Sequence, residues 1–422
     1  GLLLSSQFGF GIPYCICRWY HSSVPPGGVY SACVRNWSLH ENTFPSGLKQ
    51  LSEALTVKWL LYVPFWCPDN VYSDQFRWLT SYQNESNAHL RFSEPHPDDA
   101  LRFYRMLFDY GAEHGMVGFE NDYLDYNYLS MPFLRRNYGA ANKWLAGINT
   151  AALERDIPVQ ICMALPSDAM ASVQFNSMTN VRSSTDYGIN DDRDDSPVQP
   201  GGLFSDSNFN IGGSSLLAWA LGLRPSKDIF WSSRPANCHG NHTDMPQTCG
   251  RWGAHMNPGS NCELNAIVAT LSTGPVSLAD KAYGTNETVV RRCIRRDGRI
   301  LQPDRPATAV DSMFAQSGSR LPPSGQVWTT SVTLAATAPP KNTSSAAAMV
   351  WHYVLSVDVK TPWQIHGSDF YPMMVAEPSQ QPAAQWVAHS WFHGHGPTAC
   401  THGSRAVASG CISKRGLIKS AA

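Results

Sequence analysis

The order of apolar runs and helical periods predicts an α/β architecture, a (β/α)8 TIM barrel followed by a C-terminal antiparallel β domain. Three observations carry this expectation. From about Pro13 to Asp280, short apolar runs alternate with helix-period segments, the pattern of a parallel sheet wrapped by helices. After Asp280, Pro, Ser and Thr become frequent and strand-like runs continue without long helical periods. A chain of 422 residues also has room for one large domain and a smaller one. The expected division is a barrel over residues 1–285 and a β-sandwich domain over 286–422.

The expected barrel strands are Tyr14 to Tyr20, Val57 to Phe65, Met116 to Asp122, Pro158 to Leu165, Thr179 to Ser184, Asp228 to Ser232 and Gly274 to Ala279, with a weaker eighth near His89 to Phe92. Helices lie between them. In Pro97 to His114, a proline opens the first turn beside Asp98 and Asp99, Leu101, Tyr104, Leu107 and Phe108 recur at helical spacing, and Gly115 stops the helix. Similar patterns make Ala140 to Arg155 and Ser214 to Leu223 helical. Beyond the barrel, Asp297-Gly298 is a hairpin-type turn, and Gln326 to Leu334, Met349 to Val359 and Gln385 to Ser390 are the strands of the second domain.

Composition narrows the function. With 43% hydrophobic and 15% charged residues, the chain can pack a core. A formal net charge of −1 and the lack of a Lys/Arg-rich run argue against a nucleic-acid partner. No apolar stretch reaches the ~18 to 20 residues of a membrane span. No phosphate-binding glycine motif is present, and the reading calls for no cofactor. His393 and His395 invite a metal reading, but without neighbouring acids they are read as a loop detail, and no metal site is assigned.

Asn-x-Ser/Thr occurs at Asn36, Asn84, Asn241, Asn286 and Asn342, and the 11 cysteines form no paired Cys-x-x-Cys blocks. These features predict a secreted, extracellular glycoprotein with N-glycans and disulfides. Cys238–Cys249 and Cys400–Cys411 are the expected bridges, and Cys162 is the expected buried thiol. The chain starts at Gly1 without Met, so a signal peptide or longer N-terminal part is expected to precede it. Association into a homo-oligomer stays open.

The chemistry concentrates at strand ends. Gly118-Phe119-Glu120-Asn121-Asp122-Tyr123-Leu124 is an apolar strand ending in a carboxylate, and in a barrel such ends face the active site. A lone Asp there is otherwise a helix cap or turn residue. A second carboxylate, Asp186, has the same placement after Asn180 to Thr185, with Arg182 available to bind a sugar hydroxyl or orient a carboxylate. The long Asp, Pro and Gly-rich segment 190–202 follows where active-site loops belong. Glycoside cleavage needs one carboxylate to attack the anomeric carbon and one carboxylic acid to protonate the leaving oxygen. Trp66, Asp69 and Trp231 are candidate pocket residues, each with core or rim as the alternative, and His255, in a Gly/Pro-rich loop, is expected to help close the pocket. Asp168 is read as a helix cap.

On these residues the chain resembles the family 36 glycosidases, the α-galactosidase and raffinose-synthase group. That family carries its nucleophile in a strand ending Lys-x-Asp and its acid/base four residues after an Arg on a later strand. Glu120-Asn121-Asp122 and Arg182 to Asp186 occupy those places in order, and Leu271 to Asp280 resembles the last barrel strand. The resemblance implies a retaining, exo-acting glycosidase on α-linked glycosides, with Asp122 as nucleophile and Asp186 as acid/base. Their carboxyl groups should then stand roughly 5 to 5.5 Å apart. A transglycosylase would use the same residues. The family's Lys is Glu120 here, which puts galactose specificity in doubt and motivates a second reading, a catalytically silent extracellular carbohydrate-binding or assembly protein.

Overall fold

The computed structural model describes residues 3–4, 17–19, 33–38, 44–55, 58–81, 92–184, 211–227, 230, 232–233, 262–278, 280, 284–312, 326–334, 349–357, 385–388 and 398–401. The chain divides into two compact units, Gly1–Pro306 and Ala307–Ala422. In the first, the elements run β1 (Leu3–Leu4), β2 (Cys17–Trp19), β3 (Val34–Trp37), α1 (Gly47–Leu55), β4 (Lys58–Val63), β5 (Trp78–Thr80), β6 (Ser93–Pro95), α2 (Ala100–Glu113) and β7 (Met116–Asn121). They continue with α3 (Leu124–Ser130), α4 (Pro132–Arg136), α5 (Ala140–Leu153), β8 (Val159–Ile161), α6 (Pro166–Ala171), β9 (Met178–Arg182), α7 (Ile211–Ala220), β10 (Arg224–Ser226), α8 (Cys262–Leu271) and α9 (Glu287–Arg291).

A six-stranded sheet in the order β1-β4-β7-β8-β9-β10 organises this unit, and every pairing in it is parallel. One further parallel bridge joins Phe230 to Leu278. Gly274 sits so close to β10 that a Cβ there would lie 2.5 Å from the Pro225 carbonyl oxygen. Eight strands and a closed barrel were expected; among the described residues the sheet stays open.

One expected barrel strand belongs elsewhere. Cys17–Trp19, inside the expected Tyr14 to Tyr20, pairs antiparallel with Val34–Trp37, and Leu3–Leu4 takes the place beside β4. Of the strand expected near His89 to Phe92, residues 89–91 lie outside the described residues, and the strand just after it, Ser93–Pro95, is antiparallel to Trp78–Thr80. Cys17–Trp19 and Ser93–Pro95 each satisfy their backbone in a local antiparallel ribbon. The Cys33–Cys67 disulfide, with a sequence separation of 34, links the start of β3 to the segment after β4.

The helices form as their periodicity requires, with one change at α2. Its turn over 97–99 precedes a helix that begins at Ala100, and Asp99 caps nothing. Asp99 accepts from the Arg77 backbone N–H at 2.8 Å, while Asp98 pairs with Arg77 and Lys143. Ala100, Phe103, Tyr104, Leu107, Phe108 and Gly111 make the buried face, and Phe108 meets Phe119 of β7 at a ring distance of 5.0 Å. That contact places the odd positions of β7 against the helical layer. Gly147 of α5 is needed for close helix approach, since a Cβ there would lie 2.7 Å from the Leu101 backbone N.

A second buried cluster of Phe230, Ala266, Ala269, Val276, Val289 and Cys293 lies in the same unit. The hairpin-type turn at Asp297-Gly298, expected in the β domain, falls in this first unit and is closed by the antiparallel Ile294–Ile300 bridge. In the second unit, β11 (Thr308–Ala309), β12 (Gln326–Leu334) and β13 (Met349–Val357) form an antiparallel sheet, and β14 (Gln385–Ala388) pairs antiparallel with β15 (Thr398–Thr401). Among the described residues no helix is long and apolar enough to cross a membrane.

Candidate active site

The parallel register determines which side chains share a face. Tyr62, Glu120, Gln160 and Asn180 lie in one row across β4, β7, β8 and β9. Side chains alternate along a strand, so the residues two positions on, Asp122, Cys162 and Arg182, project from the same face at the C-terminal edge. Leu61, Val63, Phe119, Ile161 and Val181 take the opposite face and are buried in the main apolar core. One side of the sheet therefore packs on helices, and the other carries acids, amides, a thiol and a guanidinium.

Asp122 accepts from a hydroxyl and from a backbone N–H. The Tyr62 hydroxyl donates to its Oδ2 at 2.8 Å, and the Tyr123 backbone N–H donates to its Oδ1 at 2.7 Å. The Cys162 thiol hydrogen-bonds to Asp122 and to Glu120, and Gln160 hydrogen-bonds to Glu120 as well. Asn180 Nδ2 in turn donates to Gln160 Oε1 at 2.5 Å, so the row is tied across three strands. Burial and the Asp122 charge raise the Tyr62 hydroxyl well above its ordinary value, keeping it a donor.

The electrostatics are those of crowded acids around one cation. Glu120 and Asp122 are both buried. Burial pushes Glu120 up to about 7, the Asp122 charge adds to this, and Arg182 opposes it. Asp122 is also raised by burial, against the pull of Arg182, Cys162 and Tyr62. Arg182, buried at the end of β9, thus partly offsets the effect of burying these two acids together. Lys227, directly after β10, is a second buried cation that the sequence reading did not single out.

Two further buried acids complete the group. Asp125, in the first turn of α3, accepts from the Tyr126 backbone N–H at 2.8 Å. Its carboxyl is raised to about 7, by burial first and then by the charges of Asp122 and Asp168. Asp168 accepts from the Leu165 backbone N–H at 2.8 Å, which makes it a first-turn residue reaching back to the cap of α6. Burial raises it to about 6. Asp125 was missed in the sequence because an acid at that position reads as ordinary helix-start chemistry.

Backbone strain marks the same edge. Tyr123, after β7, has φ 55°, and Met163, after β8, has φ 46°, left-handed conformations that cost a non-glycine residue ~1 to 2 kcal/mol. Leu124 N–H and Asp125 N–H then donate to the carbonyls of Cys162 and Met163 at 3.4 and 2.9 Å, extending the β7–β8 pairing past the strand ends.

The remaining expected site residues are placed differently. Trp66 is fully buried and packs edge-on against Phe103 at 4.9 Å, with Trp78 at 6.0 Å, so it is a core residue and not a sugar platform. Asp69 is exposed and paired with Arg35 at 2.6 Å. Asp186, Trp231 and His255 lie outside the described residues, as do Asn84, Asn241 and Asn342. Of the sequons described, Asn286 is exposed and caps α9, while Asn36 is half-buried and bonded to Ser38 and Tyr72. Cys162 is a buried thiol, as expected, and is not in a disulfide; the Cys33–Cys67 bridge was not anticipated, and Cys238, Cys249 and Cys411 lie outside the described residues. Among the described residues no group of three His, Cys, Asp or Glu is arranged to hold a metal ion.

No protein family matches the chain, and no curated protein matches it. Among solved structures it is similar to an α-galactosidase from Thermus thermophilus in complex with stachyose, at 16% identity and a TM-score of 0.41, over 61% of this chain and 53% of that one. It therefore spans about half of that enzyme's length. It is also similar to a GH27 β-L-arabinopyranosidase from Geobacillus stearothermophilus, at 14% identity and a TM-score of 0.45, over 76% of this chain and 70% of that one. A variant of that enzyme in complex with arabinose gives 13% and 0.44, over 75% and 77%. Likeness at this level leaves the chemistry to be read from the chain's own residues.

Proposed function

We propose that this protein is a secreted, N-glycosylated, retaining glycoside hydrolase, exo-acting on α-linked glycosides, with Asp122 as its nucleophile and Asp186 as its acid/base. The observation that carries the reading is Asp122 itself. It leaves the C-terminal end of a parallel strand, both its oxygens accept hydrogen bonds, and a buried guanidinium acts on it.

In the first step an Asp122 oxygen gives an electron pair to the anomeric carbon as the bond to the leaving oxygen breaks, and the acid partner supplies that oxygen with a proton. Water then attacks the same carbon, its proton passes to the partner carboxylate, and Asp122 is released as a carboxylate. Tyr62 and the Tyr123 N–H hold the attacking group in place through both steps. Arg182 opposes the burial that favours the protonated form of Asp122.

The silent-barrel reading draws on one specific feature, the burial of Glu120 beside Asp122 where the resembled family has a lysine. A panel of aryl α-glycosides separates the two. Asp122→Asn should abolish turnover of whichever glycoside the wild-type chain accepts, with an unchanged far-ultraviolet circular dichroism spectrum. Undiminished turnover in that variant removes Asp122 from the mechanism, and a wild-type chain inert on the whole panel favours the silent reading.

A further inference from the structure

The start of α3 holds features that the two-carboxylate mechanism does not use. Tyr123 and Tyr126 are half-buried, with ring centroids 5.6 Å apart. Behind them Phe65 and Phe92 are buried and stacked at 4.2 Å, and Phe65 lies 4.5 Å from Tyr123 and 6.5 Å from Tyr126. The inner pair supplies the apolar packing, and the outer pair presents part of its surface beyond it. A tyrosine in the left-handed region is costly, and glycine would take the same backbone freely. Here that backbone turns the Tyr123 N–H onto Asp122 Oδ1 and seats the ring on Phe65.

Asp125 belongs to the same turn. One of its oxygens accepts the Tyr126 N–H, and its charge acts on the Tyr126 hydroxyl and on Asp122's surroundings. Two partly exposed aromatic rings beside buried carboxyl groups match the two faces of a pyranose. Its C–H face is apolar and lies flat on a ring, and its hydroxyl edge needs hydrogen-bonding partners. An anionic ligand is disfavoured by the surrounding acids.

We propose that Tyr123, Tyr126 and Asp125 form a binding wall for a neutral pyranose immediately beside Asp122, the Tyr126 ring stacking on its C–H face, the Tyr123 ring, tilted 68° to it, meeting its edge, and the Asp125 carboxyl bonding a hydroxyl. This rests on the glycosidase reading of Asp122 and adds the residues that hold the sugar against it. No step of bond making is assigned to the wall.

The test uses the full chain with 4-nitrophenyl α-D-galactoside, α-D-glucoside and α-D-mannoside for kcat and KM, and the three free sugars for binding by saturation-transfer NMR and calorimetry. Tyr126→Ala should raise KM by about tenfold and weaken binding of the accepted free sugar to the same degree, whereas Tyr126→Phe should stay within about threefold of wild type. Tyr123→Gly removes the ring and keeps a residue suited to the left-handed backbone, so it should bind the sugar less well while its far-ultraviolet circular dichroism spectrum stays that of the folded chain. Asp125→Asn should discriminate less against the deoxy analogue of the accepted sugar that lacks the bonded hydroxyl. If Tyr126→Ala and Tyr123→Gly bind and turn over sugar as wild type does, while Asp122→Asn is inactive, the wall is wrong and the glycosidase reading stands. If the wild-type chain neither binds nor cleaves any of the panel, both readings fail.

Discussion

Replacing Asp125 with asparagine should make the stability of the protein less dependent on pH, with a sign and size that follow from the structure. The Asp125 carboxyl sits at about 7 against an ordinary 3.8, chiefly because burial disfavours its charge. The folded chain therefore holds this proton more tightly than the unfolded chain does. The associated stability is full below about pH 4 and is lost as the pH climbs to about 7. At 1.36 kcal/mol per pH unit the whole effect is ~4 kcal/mol, of which ~2.5 kcal/mol falls between pH 5 and pH 8. Asparagine keeps an acceptor for the Tyr126 N–H but has no proton to lose. Urea unfolding at both pH values, with disulfides intact and salt constant, should show the variant gaining ~2.5 kcal/mol on wild type in passing from pH 5 to pH 8. A change below ~0.5 kcal/mol, or one of opposite sign, would mean that Asp125 titrates like a solvated aspartate and that the acid cluster is not as buried as described.

Other perturbations test separate parts of the argument. Glu120→Gln should flatten any loss of activity that wild type shows as the pH rises through about 7, since ionising Glu120 places a second negative charge beside Asp122; an unchanged pH profile of kcat/KM would exclude that coupling. Exchange of both Cys33 and Cys67 for serine should cost up to ~4 kcal/mol of unfolding free energy, the chain-entropy value for the loop their bridge closes, and a loss under ~1 kcal/mol would contradict it. Gly147→Val should destabilise by ~1 to 3 kcal/mol or more, because its side chain would meet the α2 backbone, and a Tm equal to wild type would show that the two helices are not so close.

What the residues disclosed in advance followed from how local each signal is. The strand ending at Asp122 was legible because an unbroken apolar run closes on a carboxylate, and the opposition between Glu120 and Arg182 was foreseeable from charge and order alone. Leu3–Leu4 was not, since two residues carry no period, and its place beside β4 is a long-range choice. Cys17–Trp19 has the composition of a barrel strand and was assigned as one; only its antiparallel partner at Val34–Trp37 shows otherwise. Trp66 was misplaced for a related reason. It does follow a parallel strand, but its backbone bridges Val34 on one side and Ser93 on the other, and that clamp turns its ring into the core beside Phe103. Pairing of Cys33 with Cys67 was equally invisible, because proximity across 34 residues is created by the fold and not by spacing.

The alternation across the sheet has a consequence for how such a site can change over generations. Through the accident of loop lengths, Tyr62, Glu120, Asp122, Gln160, Cys162, Asn180 and Arg182 all carry even numbers, whereas Leu61, Val63, Phe119, Val159, Ile161 and Val181 carry odd ones. The named even positions carry the polar side chains of the acid cluster, and the named odd ones carry the cohesion of the apolar layer. Point substitutions at even positions can therefore explore new chemistry with little effect on the apolar layer. Loss of a single codon inside β7 would instead send Asp122 toward the helices and an apolar neighbour into the acid cluster. Innovation by replacement is open to this sheet, while innovation by insertion or deletion is confined to the loops between its strands.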